Sequence, residues 1–347
     1  MSLKSILVGL CLPAMAMAET WPLQAPAVPF NYDSPSRAID YQPLTSAREA
    51  WRICVSFPHL KDAYWLSVNY GMVEEARRLG VTFRLVEAGG YPNVDRQIQQ
   101  IKNCTDHGVD ALIVGTVSYE GLTETVSAIA QDIPVIAAVN DIADPGISAK
   151  SGVSWEDMGR AAGEVLSRRH PKGSAPVDVA WFPGPEGAGW VSFVEKGFRG
   201  ALEHSSARIV TTKFGDTGRE IQVLLVEEAL DEHPDIDYIV GSAPAAEASV
   251  SILRALGLQD RVGVISDYMT HAVYRGIRRG RIIAAPSDHP VLQGRLAIEQ
   301  AVRAIEGELD LPHAGPRISL FNQATLTNDS MRETLAPPTF VPIFELK

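Results

Sequence analysis

From Trp51 onward the chain keeps switching its apolar period. The run "WRICVSF" (51–57) gives way to "YWLSVNYGMVEEARRLG" (64–80), in which Val68, Met72, Ala76 and Leu79 recur at helical spacing and Gly80 supplies a stop. "TFRLVEAGG" follows, then the helical "NVDRQIQQIKNCTDHG", then "ALIVGTV", a helix through 121–131, and "PVIAAVN". Strands separated by whole helices cannot pair as hairpins. They must join through right-handed crossovers into a parallel sheet.

The same pattern starts again after residue 151. Helix "MGRAAGEVLSRRH" leads to strand "DVAWFPG", then come "WVSFVEKGFRGALEH", "ARIVTTKFG", "IQVLLVEEALDEHP", "IDYIVGS", "EASVSILRALG", "RVGVISD" and "THAVYRGIRRG". The expected fold is therefore α/β, with two doubly wound parallel-sheet lobes of about five strands each. Open sheets bind ligands outside the carboxyl ends of their strands, so two such sheets facing each other make an interlobe cleft. A chain of 347 residues suits two lobes of ordinary size.

The flanking segments set the compartment. "MSLKSILVGLCLPAMAMAET" has a lysine at position 4, an apolar centre too short to span a bilayer and a small-x-small site at 16–18, so residues 1–18 are expected to be a signal peptide cleaved after Ala18. The expected location is the periplasm, with no membrane insertion of the mature chain. Residues 19–47 are proline-rich and without period, and are expected to form an extended arm wrapping the surface. A formal charge of −11 argues against nucleic acid or an anionic membrane as partner. Cys11 leaves with the signal peptide. Cys54 and Cys104 remain, either as a disulfide or as two small buried residues; spacing alone does not choose.

Motifs for chemistry are few. "GPEGAG" (184–189) lies between a strand and a helix but lacks the Gly-Lys-Ser/Thr ending of a phosphate loop, and reads as a cleft loop. "DEHPDID" lacks metal-loop spacing and reads as a solvated turn. The eight histidines are scattered, and neither HExxH nor G-x-S-x-G occurs. "RGIRRGR" reads as the solvated face of one helix. The expectation is a non-enzymatic protein with no catalytic residue, no metal and no cofactor.

The stretches "GMVEEARRLG", "QIQQIKNCTDHGVDALIVG", "PVIAAVND", "VEKGFRGALE", "EEALDEHPDIDYIVGS" and "YRGIRRGRIIAA" resemble the ribose-binding class of bacterial periplasmic binding proteins (type I) over roughly residues 50–325. The resemblance implies three hinge crossings, near Asp141, Ile283 and Arg317. They would divide the chain into a first lobe of residues 48–141 plus 284–317 and a second of 142–283 plus 318–347.

Sugar binders of that class read hydroxyls with Asp, Asn, Arg and Gln. Here Ala243 and Pro244 replace the polar dyad, Ser192 stands for an arginine, and Tyr268 stands one residue beyond Asp267 in place of the family aspartate. Unpaired sugar hydroxyls would cost about 1–3 kcal/mol each. Aromatics are gained instead: Tyr64, Trp65, Tyr91, Trp155 and Tyr268 each fall at the carboxyl edge of a strand. Such a box suits a methylated nitrogen, whose positive field rests on ring faces. Asp62 serves either as a countercharge or as a helix N-cap. "LKDAYWLSVNYGM", "FPGPEGAGW" and "SDYMTHAVYRGIRRGRIIAAPSD" are similar to one branch of the class. That branch implies trimethylamine N-oxide as ligand and the periplasmic sensor domain of a membrane hybrid histidine kinase as partner. A Tyr hydroxyl, a Trp indole N–H or a water could donate to the oxide. The alternative is a solute-binding subunit of an ABC importer for a sugar or methylamine.

Overall fold

The first lobe follows from strands buried on both faces, which is how parallel strands covered by helices read in sequence. The structure, a computed structural model, describes residues 20–347; the expected signal peptide lies outside the described residues. The chain opens with β1 (Trp21–Pro26) and β2 (Ser36–Tyr41). There follow β3 (Arg52–Phe57), α1 (Ala63–Leu79), β4 (Thr82–Glu87), α2 (Val94–Thr105), β5 (Ala111–Val114), α3 (Thr123–Ile129), β6 (Val135–Ala138) and β7 (Ala149–Ser151). The second run comprises α4 (Trp155–Arg169), β8 (Val177–Gly184), α5 (Val191–Leu202), β9 (Ala207–Phe214), α6 (Arg219–Glu232), β10 (Tyr238–Gly241), α7 (Ala243–Ala255), β11 (Gly263–Ser266), α8 (His271–Arg278) and β12 (Ala284–Ser287). The chain ends with α9 (Pro290–Glu306), β13 (His313–Pro316), β14 (Ser319–Asn322), α10 (Asn328–Thr334) and β15 (Glu345–Leu346).

These strands make a nine-stranded sheet in the order β15-β4-β3-β5-β6-β7-β13-β1-β2, a parallel four-stranded sheet in the order β11-β10-β8-β9, and an antiparallel pair β12-β14. The α/β two-lobe expectation is met, with unequal sheets. The large one is parallel from β4 to β13 and antiparallel at both ends. The chain leaves the large sheet after β7, comes back to it after β12, leaves it again after β13 and returns at its end as β15.

Three expectations are revised. The arm is not merely extended: β1 and β2 form a hairpin that lengthens the large sheet beside β13. Alternate residues of β1 are buried (Trp21, Leu23 and Ala25), and Pro22 and Pro26 flank the two residues, Leu23 and Gln24, that pair with β13. Residues 149–151, expected in the second lobe, supply β7 to the large sheet. The last residues, also expected there, return to it as β15 beside β4. Local composition marks neither, because a crossing between sheets needs no special residue.

Helices α1 and α9 pack closely enough to exclude side chains at their crossing. A Cβ on Gly71 would stand 1.9 Å from the Val291 carbonyl oxygen, and one on Gly294 would stand 2.2 Å from that of Val68. This contact holds the start of α1, with its aromatics, against the chain that enters α9. Nearby, Glu75 and Glu299 are buried among Arg78, Arg295 and Arg303. Glu299 also accepts from the Tyr41 hydroxyl (3.0 Å) and the Leu44 N–H (2.9 Å), which fastens the arm to α9.

Cys54 on β3 and Cys104 in α2 form a disulfide across 50 residues. In the chain-entropy view a closed loop of that length contributes about 4 kcal/mol. The double substitution Cys54→Ala, Cys104→Ala should lower unfolding free energy by about 2–4 kcal/mol in urea titrations, with far-ultraviolet dichroism unchanged.

Candidate functional site, an aromatic cage

The start of α1 is built by Asp62. Its carboxylate accepts from the Tyr64 N–H at 2.9 Å, capping the helix and placing Tyr64 and Trp65 in its first turn. Tyr91 follows β4, Trp155 opens α4 behind the Ser154 cap, and Tyr268 follows β11. All six expected residues (Asp62, Tyr64, Trp65, Tyr91, Trp155 and Tyr268) line one cavity between the lobes, together with His59, Asn140, Trp190 and Thr217. All ten are buried. Ring centroids lie 5.1 Å apart for Trp155 and Trp190, 5.5 Å for Tyr64 and Tyr268, and 6.0 Å for Trp190 and Tyr268. Tyr91 stands 6.4 Å from Trp190.

Glycines give the rings room. A Cβ on Gly115 would lie 2.4 Å from the Trp65 ring, and one on Gly184 (φ 112°) 2.7 Å from the Trp190 ring. Gly189 approaches the Asp141 carbonyl so closely that its Cβ would stand 2.1 Å away. The glycine-rich loop of 184–189 thus seats an indole and lets the second lobe touch the first.

Polar groups of the lining are mostly paired. The second oxygen of Asp62 accepts the Tyr268 hydroxyl at 2.5 Å, a bond from one lobe to the other. Tyr64 donates to Asp288 at 2.6 Å, and Gln293 donates to the same carboxylate oxygen at 2.6 Å. Trp155 donates to the Val139 carbonyl at 3.0 Å, and Asn140 donates to Tyr91 at 3.1 Å. His59 Nε2 and Thr217 Oγ1 lie 2.9 Å apart, again across the lobes. Burial pushes Asp62 up to about 6, against the lowering by its bonds to Tyr268 and the Tyr64 N–H. Burial likewise raises Asp288 to about 6 and lowers His59 to about 4, so the histidine is neutral.

The cavity is small, with about 10 Å³ open to the centre of a water-sized sphere. As it stands the hollow has room for about one ordered water. A pyranose with its ring of hydroxyls does not fit it. An outer hollow of about 380 Å³ shares Asp62 and Thr217 with the cage. A wider groove of about 1020 Å³ beside the arm carries mixed charges, among them Glu74, Arg78 and Arg317, and is open to solvent. Among the described residues no group of three or more His, Cys, Asp and Glu side chains could hold a metal ion.

Sequence reasoning missed Trp190, His59, Asn140 and Thr217. Trp190 was within reach: it follows the carboxyl end of β8, by the same rule that selected the others. Asp267, beside Tyr268, is buried with neither carboxylate oxygen hydrogen-bonded, and it is not part of the lining.

Residues 53–309 match the family of the periplasmic binding protein domain. The chain is 40% identical over 325 residues to the periplasmic protein TorT of Escherichia coli K12, covering 91% of this chain and 92% of that one. A crystal structure of the TorS sensor domain–TorT complex in the presence of TMAO superposes with a TM-score of 0.77 at 40% identity, covering 85% of this chain and 99% of that one. An ABC transporter solute binding protein from Bradyrhizobium sp. BTAi1, solved with bound bis-tris, gives a TM-score of 0.80 at 45% identity, covering 95% of this chain and 100% of that one. With a match across most of its length and two sheets facing across a cleft, this chain belongs to the periplasmic binding protein family.

Proposed function

We propose that this protein is a periplasmic detector of trimethylamine N-oxide: the ligand sits in the aromatic cage, and the ligand-dependent form of the protein is read by the periplasmic sensor domain of a TorS-like membrane histidine kinase. The observation that carries the reading is the cage itself. It is a hollow of near-minimal size walled by Tyr64, Trp65, Tyr91, Trp155, Trp190 and Tyr268, with one carboxylate, Asp62, at its edge. Ring faces attract a methylated nitrogen by about 0.5–2 kcal/mol per good contact. Ionised Asp62 adds a countercharge. Kinship with TorT, crystallised with the TorS sensor domain, supports the partner.

Binding needs no turnover. The lobes hinge where the chain passes between the sheets, and Asp62–Tyr268 and His59–Thr217 tie them shut. Ligand shifts this equilibrium by its differential affinity for open and closed forms. A second reading, an importer's solute-binding subunit, is favoured by the resemblance to the Bradyrhizobium protein. Both readings use the same fold, so the partner decides between them.

Calorimetric titration should show trimethylamine N-oxide binding, with no measurable binding of ribose, glucose or galactose at millimolar concentration. Trp155→Ala should weaken binding by roughly 1–2 kcal/mol, about tenfold, and Trp155→Phe by less. A sugar bound at micromolar concentration would overturn the assignment.

Affinity should also depend on pH. Burial holds Asp62 at about 6 in the folded protein, so its carboxylate ionises mainly between pH 5 and 7. A positive nitrogen stabilises the carboxylate, so ligand affinity should rise over the same window. The expected gain is about tenfold between pH 5 and 7 with a plateau above, and Asp62→Asn should remove the slope. A flat profile in the unaltered protein would exclude Asp62 as countercharge.

The isolated sensor domain should form a complex with this protein, with ligand affinity differing between free and complexed states by a reciprocal factor. Absence of association at tens of micromolar by sedimentation, with and without ligand, would sink the detector reading in favour of the importer.

A further inference from the structure

The last return of the chain to the large sheet, between α10 and β15, is a fourth link between the lobes. It starts on the second lobe. Asn328, the first residue of α10, accepts from the Tyr274 hydroxyl (3.2 Å) and from Arg278 (2.9 Å) of α8, so one arginine of the basic run 275–281 has a structural partner. It ends on the first lobe. The Asn69 side chain of α1 exchanges two bonds with the Ile343 backbone (2.8 and 3.1 Å), and the Phe340 ring lies 5.1 Å from that of Tyr70. The Leu85 N–H of β4 donates to the Phe344 carbonyl at 2.7 Å.

Between these anchors, Ala336 is bonded to both lobes at once. Its N–H donates to Ser67 Oγ of α1 at 3.1 Å, and its carbonyl lies 2.7 Å from Nε2 of His271, the first residue of α8. A carbonyl only accepts, so Nε2 carries the proton and His271 is the donor. Leu335 and Ala336 are each 2% exposed. Prolines at 337, 338 and 342 keep the run that follows out of helix and leave few N–H groups to satisfy at the surface. Ala336 and His271 line the outer hollow, and neither lines the cage.

The two bonds of Ala336 are not equivalent. Beyond it the chain is fastened to α1 and β4 at several points, so this segment travels with the first lobe. The bond from His271 is then the one that lobe separation must break. We propose that residues 335–344 are a strap across the interlobe seam and that His271 is its latch, a positioning residue whose hydrogen bond to the Ala336 carbonyl forms only when the lobes close. Any ligand held between the lobes binds in proportion to the closed population. The latch therefore sets the affinity of a cage that it does not touch.

The full mature chain, His271→Ala and His271→Gln test this by small-angle scattering without ligand and by calorimetry with trimethylamine N-oxide. His271→Ala should enlarge the radius of gyration of the empty protein and weaken binding by about three- to tenfold, the loss of one hydrogen bond made in the closed form alone. His271→Gln retains a side-chain N–H and should recover most of the affinity. Saturating ligand should bring His271→Ala to the radius of the liganded unaltered protein, which a folding defect would prevent. Unchanged affinity together with an unchanged radius, or tighter binding, would overturn the latch. If trimethylamine N-oxide bound none of the three proteins, the detector reading would fall, and the scattering of the empty proteins would decide the latch alone.

Discussion

A carboxylate buried where two lobes meet has to be shared between them or kept neutral, and Asp62 is shared. One oxygen caps α1 and the other receives a hydroxyl from the opposite lobe. The side chain that starts the helix bearing Tyr64 and Trp65 is thus also the one that draws Tyr268 over the cavity. Helix start, cage wall and lobe closure are a single arrangement, so disturbing the cap moves the walls. The two roles weighed for Asp62, N-cap and countercharge, are compatible because a carboxylate has two oxygens to give.

The backbone is forced beside the first crossing between lobes and at the second. Val139 takes a φ of 69° and His289 a φ of 52°, values that non-glycine residues adopt only when their surroundings hold them. Val139 is held by the Ser151 carbonyl, and its own carbonyl receives Trp155. His289 is held through both ring nitrogens, by Ser319 (2.9 Å) and Thr334 (3.0 Å), which ties the second crossing to the third. The arm reaches the same region: Phe30, with φ 65°, donates its N–H to His313, and its ring lies 5.6 Å from the buried Lys150.

Much of this was legible in the sequence because periodicity is set by burial on one face or two. "ALIV" and "PVIAAVN" read as interior strands, and β5 and β6 are buried throughout. The strand-end rule picked out five aromatics that the structure brings, with Asp62, to one cavity. It failed where a residue's role depends on the other lobe. Trp190 sits behind a glycine-rich loop whose spacing looks like a phosphate motif, and only the fold shows that those glycines admit its ring and the Asp141 backbone. Asp288 and Gln293 hold Tyr64 from 224 and 229 residues away, a distance over which composition says nothing. The arm's hairpin was hidden for a different reason: prolines at positions 22 and 26 blur the alternation of a strand whose short pairing with β13 they bracket.

Trp65, Trp155 and Trp190 share the cage, and the chain has six tryptophans in all. Half of the molecule's tryptophans therefore sit in one small polar-and-aromatic chamber, while Trp21, Trp51 and Trp181 lie elsewhere. Because indole emission responds to what lies against the ring, a guest enclosed among these three would be followed through the chain's own tryptophans, without any attached dye.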